Sequence, residues 1–205
     1  WLGVLIQDVT RELAESFGMD KPQGALVAQV VEDSPAEKGG LQVGDIITEF
    51  KGVEINYSSD LPPLVGRVQP REKATVKVLR EGRSRTLKVK IGELEKDKET
   101  KLAGDKPEVS RANKLGVVVY EVPDELREIS GVEKGGVVVE EAEAGPASDA
   151  GIQVGDVIVK INGATVKGVS HFEELVNSLP KGRTVPVLVK RRSGPLFLAL
   201  KVPNE

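Results

Sequence analysis

Pro35-Ala36-Glu37-Lys38-Gly39-Gly40-Leu41-Gln42-Val43-Gly44-Asp45-Ile46-Ile47 returns 111 residues later as Pro146-Ala147-Ser148-Asp149-Ala150-Gly151-Ile152-Gln153-Val154-Gly155-Asp156-Val157-Ile158. Extended to Gly52 and Gly163, nine of eighteen aligned positions are identical. An internal repeat on this scale means two copies of one small module rather than one large core. Each copy is preceded by an apolar-Gly-apolar tripeptide, Leu2-Gly3-Val4 in the first and Leu115-Gly116-Val117 in the second. Alone such a tripeptide reads as a core strand with a glycine bulge. Placed twice before the same downstream pattern, it reads as a loop with a task.

The 205 residues suit two modules, each large enough to bury one modest core without metals or disulfides. The expected organisation is module 1 at 1–92, a linker at 93–113 and module 2 at 114–205. The linker follows from composition, since 93–114 holds twelve charged residues out of 22 and little that could pack. As a flexible coil it would span roughly 25 Å. The chain opens on Trp1, inside a motif and without a starting methionine, and is expected to be a piece of a longer protein.

Within the first module, residues 3–9 predict a strand and Arg11 to Phe17 a short helix capped by Thr10. Gly24 to Val31 predict a buried strand. Ser34-Pro35-Ala36-Glu37 carries a capping box with proline at the first helical position. A strand at Ile46–Phe50 follows the Gly44-Asp45 turn. Ser58 to Val68 predicts a helix from the spacing of Leu61, Leu64, Val65 and Val68, with Pro62 and Pro63 tolerated in its first turn. Two alternating strands joined at Glu81-Gly82 close the module. The second copy repeats the order, with its main helix around Phe172, Leu175, Val176 and Leu179.

Several function classes are excluded or weakened by content. Net charge is −3 with both signs interspersed, so no global field favours nucleic acid or an anionic membrane. The cluster of Lys190, Arg191 and Arg192 reads as a solvated strand end. Cysteine is absent, which removes thiolate catalysis, disulfides and cysteine-based zinc sites; no metal and no cofactor are expected. No apolar run approaches the about 20 residues of a membrane span. His171 is the sole histidine, and no glycine-framed serine accompanies it, so a Ser-His-Asp triad cannot be assembled. Asp45 and Asp156, each following glycine in a turn, are expected to bond backbone amides. His171 aligns with Asp60, a position expected to face solvent.

These residues resemble a PDZ domain of the circularly permuted bacterial kind, through Trp1-Leu2-Gly3-Val4 as its carboxylate-binding loop and Gly40-Leu41-Gln42-Val43-Gly44-Asp45-Ile46-Ile47 as its turn and strand. The implied fold class is α+β: two PDZ domains, each a small, partly open β-barrel or sandwich with two helices, joined by the charged linker. Two such modules in tandem are similar to the C-terminal half of the HtrA/DegP family of serine proteases. The start and the Ala14-Glu15-Ser16-Phe17-Gly18 helix are nearest its DegP-like branch, which includes MucD.

The resemblance implies that Leu2, Gly3 and Val4 hold a terminal carboxylate, while Val4, Ile6, Leu61, Pro62 and Val65 line a pocket for the last, apolar side chain. The corresponding residues of module 2 are Leu115, Gly116, Val117, Val119, Phe172 and Val176, with Phe172 reshaping the pocket. It further implies a non-catalytic segment that recognises peptide or unfolded-protein C-termini for a trypsin-like protease domain upstream of Trp1. The setting would be envelope quality control and stress response in the periplasm, within a trimer or higher homo-oligomer. Two other readings stay open: an assembly scaffold, in which module 2 docks on module 1 of a neighbouring subunit, and a stand-alone tandem-PDZ adaptor.

Overall fold

A computed structural model describes residues 1–92, 109–112 and 114–204. The chain divides into two compact units, Trp1–Asp97 and Lys98–Glu205, each described by itself.

The first unit begins with β1 (Val4–Asp8) and α1 (Arg11–Ser16), whose first turn is closed by Leu13 N–H donating to Thr10 Oγ1 at 3.2 Å. After β2 (Ala25–Val30) comes the single-turn α2 (Pro35–Lys38). Ser34 Oγ accepts from Glu37 N–H at 3.2 Å, as a capping box requires, but the Glu37 carboxylate accepts from Asp33 N–H instead of Ser34 N–H. The reciprocal bond is displaced by one residue, and the Ser34 N–H donates to the Val31 carbonyl at 3.2 Å instead.

Strands β3 (Ile46–Phe50) and β4 (Val53–Glu54) lead to a 3-10 turn at Ser58–Asp60 and then α3 (Leu61–Gly66). The expected helix over 58–68 is thus split. Asp60 Oδ2 accepts from the N–H groups of Asn56 and Tyr57, which holds the entry in a tight turn, and the α-helix starts only where Pro62 and Pro63 fall in its first turn. Strands β5 (Lys73–Arg80) and β6 (Arg83–Lys90) form a hairpin with positive φ at both Glu81 and Gly82, the geometry that matches strand twist in a two-residue loop.

The strand order is β1-β2-β3-β5-β6, with β4 beside β3. An extra residue interrupts the β1–β2 register at Ala28 and the β3–β5 register at Thr48. Such bulges bend a sheet toward closure. The core lies inside that curve, with Val27, Ile47, Phe50, Ile55, Leu61, Val76, Val78, Val89 and Ile91 all buried.

The second unit repeats this plan. Its elements are β7 (Val109–Ala112), β8 (Val117–Glu121), α4 (Asp124–Ser130), β9 (Val137–Ala142), α5 (Pro146–Asp149), β10 (Val157–Ile161), β11 (Ala164–Thr165), α6 (Val169–Ser178), β12 (Thr184–Arg191) and β13 (Gly194–Lys201). The two register shifts recur, at Glu140 and Val159. The strand order is β13-β12-β10-β9-β8-β7, so β8 through β13 reproduce β1 through β6 and β7 is an addition. β7 falls inside the stretch read as linker; 93–108 and Asn113 lie outside the described residues.

Candidate functional site

In the first unit an open cavity of about 420 Å³ lies between β1 and α3. Leu2, Gly3, Val4, Ile6, Leu61, Pro62 and Val65, the seven residues singled out in this module, all line it. Trp1 and Gly66 complete the lining. Gly66 was not legible as a lining residue, because a glycine in a helical pattern signals only its end.

The loop that opens β1 is pinned from behind. The carbonyls of Trp1, Leu2 and Gly3 accept from the N–H groups of Gly92 at 3.0 Å, Ala36 at 2.9 Å and Val31 at 2.9 Å. The N–H groups of Leu2 and Gly3 donate in none of the described hydrogen bonds. Gly3 has φ +82°, and a Cβ there would lie 2.2 Å from Ser34 Cβ. The tight approach of loop to α2 therefore admits only glycine. Leu2 is buried at 4% exposure and roots the loop in the core.

Along β1, Val4 and Ile6 share the cavity face and are half-buried, whereas Leu5 points away and is 45% exposed. Leu61 and Val65, four residues apart on α3, form the opposite wall. The far end is tied by Asp8, whose Oδ1 accepts from Ser58 N–H at 2.7 Å. The result is a trough with apolar walls and, among the described residues, unpartnered amides at one end and a strand whose outer edge is unpaired. Such a trough suits an extended chain bearing an anionic end.

In the second unit the equivalent residues also converge, but as core. Leu115, Val117, Val119, Phe172 and Val176 belong to one buried cluster. Val117 and Val119 are 1% and 0% exposed, in contrast to the half-buried Val4 and Ile6. Gly116 has φ +73°, and its carbonyl accepts from Glu143 N–H at 2.8 Å. Glu121 Oε1 accepts from Val169 N–H at 2.6 Å, the counterpart of the Asp8 bond.

The remaining candidates serve structure. Asp45 Oδ2 accepts from Gln42 N–H at 2.8 Å, and Asp156 Oδ2 from Gln153 N–H at 2.9 Å. Each aspartate also holds an arginine, Arg80 and Arg191, whose pKa this hydrogen bonding raises further above its ordinary value. Arg191 is thereby turned inward, and Lys190 Nζ donates to Gly131 O at 2.6 Å. Two of the three residues of the basic cluster spend their donors on the protein itself. His171 Nδ1 accepts from Lys167 N–H at 3.2 Å, the bond that Asp60 makes to Asn56 111 positions earlier. The histidine thus replaces a turn-capping carboxylate.

A protein-family model described as PDZ domain matches residues 1–91 and again 108–202. Among curated proteins, a probable periplasmic serine endoprotease DegP-like of Hahella chejuensis is 46% identical over 206 residues, covering all of this chain and 44% of that protein. A protein of the same description from Pseudomonas fulva is 46% identical over 204 residues, covering 98% of this chain and 42% of its own length. The chain spans less than half the length of these relatives. Among solved structures, an HtrA-type protease AlgW with decapeptide aligns over 45% of this chain and 28% of its own, at 38% identity and a TM-score of 0.42.

Proposed function

Starting from a chain that belongs to the PDZ domain family in both of its modules, we propose that its first module captures extended C-termini for a DegP-like periplasmic serine endoprotease. The observation that carries this reading is the trough of the first unit. It combines a strand edge left unpaired among the described residues, apolar walls from β1 and α3, and loop amides that donate in none of the described hydrogen bonds.

A peptide enters antiparallel to β1 and extends the sheet by one strand. Its main chain bonds to β1, and its terminal carboxylate takes the N–H groups of Leu2, Gly3 and Val4. Its last side chain packs on Ile6, Leu61, Pro62 and Val65, so an apolar residue is preferred and a charged one is rejected. A micromolar contact of this kind corresponds to about 8 kcal/mol. In misfolded envelope proteins such termini are exposed, and the module would deliver them to the protease domain carried by the full-length relatives. Similarity to proteins described as periplasmic endoproteases, over the whole of this chain, supports both the setting and the partner domain.

The test is calorimetric titration of the chain with decapeptides ending in valine, leucine or phenylalanine, each with a free or an amidated C-terminus. Binding should need the free carboxylate and should be lost in Ile6→Lys, whose fold is checked by its melting curve. Equal binding of amidated and free peptides would sink the carboxylate-capture reading.

A further inference from the structure

The two modules part company at one sheet edge. In the first, β1 is the last strand of its sheet among the described residues. In the second, the equivalent β8 is covered. β7 pairs with it antiparallel, with Val109 opposite Tyr120, Ser110 opposite Val119, Arg111 opposite Val118 and Ala112 opposite Val117. β7 also touches α6, the helix that faces β8.

This is the place and the direction of a strand-adding peptide. A ligand antiparallel to β8 must bring its C-terminal end to the loop Leu115-Gly116-Val117, and β7 does so with Ala112. The loop side is fastened by Lys114, whose Nζ donates to the Asn177 carbonyl of α6 at 3.2 Å. The burial of Val117 and Val119 follows, since their module 1 counterparts remain half-exposed where no such strand lies.

We propose that β7 is a built-in ligand of the second module, filling its groove so that an outside C-terminus enters only when β7 leaves. The inference rests on reading the strand–helix groove as a peptide site. Only residues 113–116 separate β7 from β8, so the internal strand acts at an effective concentration in the millimolar range, which an outside peptide must overcome. The pairing is also short. It covers four residues, against eight for β5–β6 and for β12–β13, and a four-residue pair contributes little to the module's own fold. A segment of that kind is exchangeable. Module 2 is then a conditional site, open to peptides only after the segment before it is pulled away.

The test uses the whole chain, isotope-labelled for amide NMR, and a synthetic peptide of residues 105–112 with a free carboxylate. In the double variant Ser110→Pro, Arg111→Pro one ladder N–H is removed, since neighbouring residues of a strand turn their N–H groups to opposite sides, and the proline pair disfavours re-pairing with β8. The peptide should shift the amide signals of 117–121 and of α6 in this variant, at concentrations at least about tenfold below those needed in the unmodified chain. Equal shifts in both chains would show that β7 does not block the groove. Shifts in neither would show that the segment has no affinity for it. Loss of dispersed signals from β9 through β13 in the variant would make β7 part of the fold and overturn the proposal. Signals of β1 and α3, followed with the valine-ended decapeptide, report on module 1 separately, so failure there is distinguishable from failure of this inference.

Discussion

Arg80 closes a two-point ion pair on Asp45, with Nε 2.6 Å from Oδ1 and Nη2 2.7 Å from Oδ2, and its Nη2 also donates to the Gly40 carbonyl at 2.7 Å. Arg191 does the same with Asp156 and Gly151. Asp45 and Asp156 are 1% and 2% exposed, so the turn between α2 and β3, and its counterpart between α5 and β10, is locked from inside. Removing one partner strands the other in a water-poor site. Asp45→Ala should destabilise module 1 by about 3 kcal/mol, and Asp156→Ala module 2 by a similar amount. Denaturant unfolding of each variant, followed by module-specific amide signals, checks this. Equal loss in both modules from one substitution would mean that the modules do not unfold separately.

The two loop glycines both have positive φ, +82° at Gly3 and +73° at Gly116, but different surroundings. A methyl group at Gly3 would sit 2.2 Å from Ser34 Cβ, whereas at Gly116 the nearest atom is the Glu143 carbonyl oxygen at 3.6 Å. Gly116→Ala should therefore cost only the backbone term, about 1 kcal/mol. Gly3→Ala should cost clearly more, about 3 kcal/mol, because α2 must move. Thermal unfolding that ranks the two in the opposite order would show that the loop yields more easily than α2. The same crowding makes Gly3 substitutions unsuitable as a pure test of ligand contact.

Much of this was legible because the signals were local. The repeat, the Thr10 and Ser34 caps, the Gly44-Asp45 turn and the Glu81-Gly82 hairpin are each set by a few adjacent residues, and the structure has them in place. The seven module 1 positions follow from the resemblance to a PDZ domain rather than from spacing, and they line one cavity. What escaped depended on distant partners. Val109-Ser110-Arg111-Ala112 lies in a stretch dominated by charge, and only β8 gives it a reason to be extended. The role of His171 depends on a turn amide four residues back, which no composition count reveals. The inward course of Lys190 depends on Gly131, 59 residues away in sequence.

Lys190 also sets a pH dependence. Burial lowers its pKa below the ordinary lysine value near 10.5, so the folded chain holds this proton less tightly than the unfolded chain. Between the lowered and the ordinary value the unfolded state binds more protons, and stability gains from this residue as pH rises. Comparison with Lys190→Met isolates the effect. In the range just below pH 10.5, the stability of the parent relative to the variant should increase with pH. A pH-independent difference between the two would mean that Lys190 keeps an ordinary pKa.

Asp8 fixes the open end of the module 1 trough. Its carboxylate, at the end of β1, accepts from Ser58 N–H at 2.7 Å and so ties the strand to the turn that starts the opposite wall. The loop end is held independently by the carbonyls of Trp1, Leu2 and Gly3. Removing the Asp8 bond should let α3 shift relative to β1 while the carboxylate loop stays in place. The bond resembles a helix N-cap in strength, so Asp8→Ala should lower module stability by about 1 kcal/mol. On the strand-addition reading it should also weaken peptide binding by a factor of about 5, since a wall that must be ordered on binding costs affinity. Dependence on the free carboxylate should persist, because the loop amides are untouched. Calorimetry with free and amidated decapeptides on this variant separates the two effects. Unchanged affinity would mean that the position of α3 is set by the core contacts of Leu61 and Val65 rather than by the Asp8 tie.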